Sequence, residues 1–140
     1  MGFRVHKVQV WSGEISDRPG AAAAKLEVVA RAGANLEYIF TRPNPREPDG
    51  GVLYVAPING PEQTQAARAA GLSPASEVAM LCVEGQDRVG LGFEIMRHLA
   101  VAGINLRGLS FSSVAERFAA YLAFDNHDAA TQAVRVLAEL

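Results

Sequence analysis

The stretch Ser16–Tyr38 reads SDRPGAAAAKLEVVARAGANLEY, and Gln86–Gly108 reads QDRVGLGFEIMRHLAVAGINLRG. Both carry Asp-Arg-x-Gly, then a run of helix formers, then Ala-Gly-x-Asn-Leu. One constant shift superimposes Glu14 on Glu84, Asp17 on Asp87, Arg18 on Arg88 and Gly20 on Gly90. The same shift superimposes Ala30 on Ala100, Ala32 on Ala102, Gly33 on Gly103, Asn35 on Asn105 and Leu36 on Leu106. Nine identities between Glu14 and Leu36, without a gap, mark an internal duplication. TQAAR from Thr64 then matches TQAVR from Thr131 at a slightly shorter spacing, so the first copy carries a small insertion. Its place is RPNPREPDGG, Arg42 to Gly51, whose prolines and Asp49-Gly50 make a turn. For 140 residues the length prior suggests one domain. A repeat at fixed period outranks that prior, and two domains, 1–70 and 71–140, are expected.

Each copy reads alike. HKVQVW alternates Val8 and Val10 with Lys7 and Gln9, the pattern of a half-buried strand. A helix follows with Leu26, Val29 and Ala30 on one stripe, and Gly33 stops it. NLEYIFTR and GVLYVAP form a hairpin around the proline-rich turn. NGPEQTQAARAAG opens a second helix with Pro61 in its first turn and Gly71 past its end. The second copy predicts a strand over 78–83, a helix over 89–102, strands over 105–112 and 118–124, and a helix from about 129 onward. Ala56–Ile58 and the linker GLSPASE leave room for a fourth strand. Strand, helix, strand, strand, helix is an α+β pattern: two ferredoxin-like βαββαβ units, antiparallel sheets with helices on one face. A unit of this size buries only about 60% of its unfolded surface. Pairing of the units, and of a second chain, is therefore expected at the bare sheet face and edges, with one extended side-by-side sheet as the preferred mode.

Composition sets bounds on partners. A formal net charge of −2, with 13 Lys and Arg scattered along the chain, gives no footprint for nucleic acid or an anionic membrane. No stretch approaches the roughly 18 apolar residues of a membrane span, and MGFRVHKVQV lacks the apolar centre of a signal peptide. The single cysteine, Cys82, excludes an intrachain disulfide. A cytoplasmic protein is the expectation.

With those residues in view, SDRPG…AGANLEYI and QDRVG…AGINLRGL resemble the ACT domain of amino-acid metabolism. Its hallmark is a strand, an Asp-x-Pro-Gly-like loop, a helix, and a Gly-x-Asn pair opening the next strand. The resemblance covers nearly the whole chain in two copies; Val89 departs from it where the first copy has Pro19. It implies a free-standing regulatory protein without catalytic activity or cofactor. The implied partners are a small effector, an amino acid, bound at an interface, a second copy in a homodimer, and a metabolic enzyme regulated in trans.

The residues themselves suit such a ligand. The loop Ser16, Asp17, Arg18, Pro19, Gly20 and Ala21 leads into a helix whose first amides are unpaired and carry partial positive charge. Gln86, Asp87, Arg88, Val89, Gly90 and Leu91 repeat that loop. A carboxylate fits the helix start. An ammonium group needs acceptors, and Asp17, Asp87 or the amides of Asn35 and Asn105, beside Leu36 and Leu106, offer them. Plainer roles compete: Asp17 and Asp87 as helix caps, the glycines as turn formers allowing close backbone approach, Arg18 and Arg88 as solvated side chains, Glu14 and Glu84 as strand-end structure. Catalysis finds no support. Cys82 sits inside the apolar strand AMLCVE, and His6, His98 and His127 show no metal-ligand spacing. An interaction module without a ligand is the other reading, since Ala21 to Ala24 admit another subunit as readily as a small molecule.

Overall fold

Neighbouring strands pair antiparallel throughout, and the chain sorts them into two sheets. The computed structural model describes residues 2–140. The elements are β1 (Arg4–Val8), β2 (Trp11–Ser16), α1 (Ala21–Arg31), β3 (Tyr38–Pro43), β4 (Gly50–Ala56), α2 (Gly60–Ala69) and β5 (Ser73–Pro74), followed by β6 (Ala79–Gln86), α3 (Leu91–Val101), β7 (Leu106–Val114), β8 (Arg117–Phe124) and α4 (His127–Leu137). The sheets have the orders β3-β4-β2-β5 and β1-β6-β8-β7. Each is the four-stranded sheet of a βαββαβ unit, so the expected fold class holds.

The units divide the chain differently from the expected 1–70 and 71–140. One is Gln9–Ser76; the other joins the N-terminal segment ending at Val8 to Glu77–Leu140. HKVQVW is not one strand. It breaks at Gln9 and Val10, and β1 pairs with β6 in the second unit, with His6 opposite Cys82, while β2 pairs with β4 and β5 in the first. The physical reason is that Val10 and Trp11 are adjacent and both buried, which no single pleated strand with one buried face allows. The fourth strand of the first unit lies in the linker, as β5, and Ala56 simply ends β4.

In the unit Gln9–Ser76, Trp11, Leu53 and Val55 of the sheet pack against Val29 of α1 and Ala67 of α2. Both helices therefore cover one sheet face. In the other unit Leu81, Val83, Ala120 and Leu122 meet Leu91, Ile95 and Leu99 of α3, and Ala130, Ala133 and Leu137 of α4. Each leucine fully buried there contributes about 2 kcal/mol by leaving water. Gly33 and Gly103 follow the C-cap residues Ala32 and Ala102 of α1 and α3, at φ 90° and 74°, as expected. The last helix begins two residues earlier than expected because the Asn126 side chain accepts a hydrogen bond from the Ala129 amide at 2.8 Å.

Candidate functional site

The repeated loops fold alike. After β2, the Arg18 carbonyl accepts from the Ala21 amide at 3.3 Å, and after β6 the Arg88 carbonyl accepts from Leu91 at 3.3 Å. The third residue of each turn is glycine in the left-handed region, Gly20 at φ 86°, ψ −9° and Gly90 at φ 78°, ψ 7°. These are type II turns, which favour proline second and require a positive φ third. Pro19 and Val89 both satisfy the second position, so the departure at Val89 leaves the backbone unchanged. Val89 is fully exposed there, at 101%. Two further bonds fix the loops: the Asp17 amide donates to the Asp49 carbonyl at 2.7 Å and the Asp87 amide to the Glu116 carbonyl at 2.9 Å. Each loop thus hangs on the tip of its unit's hairpin, β3–β4 or β7–β8. Ala21 and Leu91, the first helical residues, are buried and anchor the other end.

Several plainer roles are revised by this geometry. The caps of α1 and α3 are Gly20 and Gly90, and no side chain makes a capping bond at either. Asp17 and Asp87 are not caps. A Cβ built on Gly20 or Gly90 would meet nothing within 4 Å. Within the chain, glycine is needed there for its dihedral angle rather than to admit a neighbouring protein atom. Ser16 closes β2 opposite Gly50, and Gln86 closes β6 opposite Arg117.

Asn35 and Asn105 are exposed and lie past the other ends of α1 and α3. Those helices have 11 residues each, which puts about 16 Å between a loop and the asparagine of its own copy. The structure does not bring Asp17 together with Asn35, nor Asp87 with Asn105. Leu36 and Leu106, beside them, pack against the two cores.

The loops differ in charge. Arg88 holds Glu94 through Nε at 3.1 Å and Nη2 at 3.0 Å, and its guanidinium lies 5.7 Å from the Phe3 ring. Glu94 places a carboxylate in the first turn of α3, where it offsets the helix dipole. Ala24 takes that position in α1, whose first turn has no acid. The start of α1 is left electropositive beside Arg18. Sequence reasoning missed Glu94 and Phe3 as partners of Arg88. Glu94 was visible as a carboxylate in a predicted first turn, whereas Phe3 reaches the loop only because of the pairing of β1.

Cys82 is 2% exposed, and among the described residues no three of His, Cys, Asp and Glu are grouped to hold a metal ion. No described helix is long and apolar enough to cross a membrane.

Comparison with known proteins places the fold. No protein-family model matches the chain, and no curated protein matches it by sequence. Among solved structures, protein BT0572 from Bacteroides thetaiotaomicron is similar at a TM-score of 0.76 and 13% identity, over 94% of this chain and 88% of that one. The ligand-free regulatory subunit of aspartate kinase from Thermus thermophilus is similar at 0.65 and 16% identity, over 99% and 96%. Clostridium acetobutylicum aspartate kinase, described as an allosteric enzyme, matches at 0.59 and 14% identity, over 97% of this chain and 33% of the kinase.

Proposed function

We propose that this chain, which has the tandem ACT-domain fold, is a non-catalytic regulatory protein that binds a small molecule, an amino acid, at its repeated loops. The reading is carried by the recurrence of one type II turn at the same place in both units, each delivering a helix start beside Asp and Arg. The regulatory subunit of aspartate kinase, similar over nearly its whole length, supports a regulatory role. A zwitterion suits the loop because its carboxylate meets the helix amides and its ammonium meets an aspartate. The first loop is the better anion site, since the first turn of α1 has no carboxylate and that of α3 has Glu94. Asn35 and Asn105 each lie a helix length from the loop of their own copy, so within a copy the loop works without them. The protein then works in the cytoplasm as a homodimer on a metabolic enzyme in trans.

A thermal-shift screen against the twenty amino acids and common biosynthetic intermediates tests this. At a hundred times its dissociation constant a ligand adds about 2.7 kcal/mol, which raises the melting temperature by roughly 5–10 °C at this size. Asp17→Ala should abolish most of that shift while the ligand-free melting temperature stays near its original value. A flat screen across all compounds refutes the sensor and favours the interaction module.

A further inference from the structure

We infer that Asn59 is a site of spontaneous covalent modification, where the backbone nitrogen of Gly60 displaces the side-chain amide as ammonia and water then opens the ring. The chain has five asparagines, Asn35, Asn44, Asn59, Asn105 and Asn126. Such a cyclisation needs a following residue that does not crowd the attack and a backbone N–H free to lose its proton. It also needs a side-chain amide that is not held elsewhere. Among the five, Asn59 meets all of these requirements.

The other four are each blocked. Asn44 precedes Pro45, which has no amide hydrogen, and its Oδ1 accepts from the Arg46 amide at 3.0 Å. Asn35 and Asn105 precede Leu36 and Leu106, branched side chains that pack on the two cores and crowd the attacking nitrogen. Asn126 caps α4, and its Oδ1 is held by the Ala129 amide at 2.8 Å. Asn59 also caps a helix, α2, but its side chain makes no capping bond. Both Asn59 and Gly60 are exposed. Gly60 opens α2, so its amide has no acceptor within the helix, and a Cβ built there would meet nothing within 4 Å. The Asn59 backbone amide donates to Gln63 Oε1 at 2.9 Å, while the side chain is left to turn. Ring closure swings the Asn59 carbonyl away from its extended ψ of 135°. The glycine that follows has no side chain to sweep through its surroundings, and so permits that swing.

Water is the one co-reactant. Gly60 N loses its proton and attacks Asn59 Cγ; the bond from Cγ to the side-chain nitrogen breaks, and that nitrogen takes up a proton and leaves as ammonia. The product is a five-membered succinimide. Water then adds to one of its two carbonyls and breaks that carbonyl's bond to nitrogen. Opening at Cγ leaves aspartate at this position. Opening at the main-chain carbonyl leaves isoaspartate, with one methylene more in the backbone. The two products part at α2. Aspartate sets a carboxylate at the helix start, where the dipole favours it. Isoaspartate lengthens the link into α2 and draws the Asn59 amide off Gln63. Gln63 also borders the end of α1, its Nε2 lying 3.8 Å from a Cβ built on Gly33, so the iso form loosens the join of the two helices. The reaction uses neither the Asp17 nor the Asp87 loop and stands apart from the proposed ligand site.

The test is incubation of the full chain at mildly alkaline pH without denaturant, followed by trypsin, which isolates Asn59 as the sole asparagine of Glu47–Arg68. Mass spectrometry should show amide-to-acid conversion in that peptide several-fold ahead of the peptides carrying the other four. The rate should climb with pH, because the attacking nitrogen must lose a proton. In heavy-oxygen water one labelled oxygen should enter per conversion, and an isoaspartate-specific methyltransferase should mark part of the product. Asn126 should convert only in urea, where its cap is lost. Gly60→Ala, compared with the unaltered chain in urea so that folding plays no part, should slow conversion at Asn59. Once separated, the isoaspartyl form should melt below the aspartyl form. An Asn59 that stays intact in the folded chain, conversion no faster there than at the other asparagines, or an acid that the methyltransferase never marks overturns the inference.

Discussion

At Gly20 and Gly90 the requirement is a single dihedral angle. Open space surrounds both, so alanine would meet no clash, yet L side chains disfavour the left-handed region. Gly20→Ala and Gly90→Ala should each cost about 1 kcal/mol, read as a lower urea midpoint; an unchanged midpoint would refute the turn assignment. The repeated Asp-Arg-x-Gly was legible because a type II turn demands glycine at one position and tolerates much elsewhere. What Asp17 and Asp87 do was not legible. Their backbone amides bind hairpin carbonyls far along the chain, and such partners leave no trace in local spacing. Tyr38 shows the same limit: burial holds its pKa above the usual 10.0, with Tyr54 adding to the rise and Arg42 opposing it. Its folded value exceeds its unfolded one, so stability is whole below about pH 10 and falls as pH rises through the folded value. Tyr38→Phe should move the alkaline limb of unfolding to higher pH; an unmoved limb would show that Tyr38 carries no such penalty.

Among the elements, hairpins and helices were readable because each has local punctuation: the proline-rich turn, Pro61 at the start of α2, Gly71 after it. β1 had none. A segment before the first repeated residue, with Val5 and Val8 set among charges, reads as the start of its neighbour. The signal against that was Val10 beside Trp11, where alternation fails. β1 nonetheless closes the second sheet. Lys7 donates from Nζ to the Thr131 hydroxyl at 2.7 Å, Phe3 meets Phe118 edge-on at 5.2 Å, and Val5 packs on the core. The Arg4–Glu84 pair, with Arg4 71% exposed, adds little. Removing residues 1–8 should cost the unit containing β6 about 3–5 kcal/mol, from lost apolar burial. Hydrogen exchange should show amides of β6 and β8 losing protection while those of β2 and β4 keep theirs. Equal loss in both sheets would mean that β1 does not belong to one unit alone.

For the molecule as a whole, duplication made the architecture legible, because two imperfect copies of a motif in one register exclude coincidence. The same duplication hid the differences that matter for function. Identical phrases at Asp17 and Asp87 stand before helices whose first turn carries Ala24 in one case and Glu94 in the other, and the loops differ in charge accordingly. The placement of each asparagine was equally hidden, since Gly-x-Asn looks near to its loop in sequence and lies a helix length away in space.

The membership of β1 also bears on how the chain is made. During synthesis Arg4–Val8 leaves the ribosome well before its strand neighbour β6, which starts at Ala79. At 5–20 residues per second the segment waits unpaired for roughly 4–14 s. Meanwhile Gln9–Ser76 has every strand of its own sheet and can close. The nascent protein is then a finished half trailing an adhesive ribbon. Its two positive charges, Arg4 and Lys7, are suited to keeping that ribbon from sticking to another nascent copy until its own mate is translated.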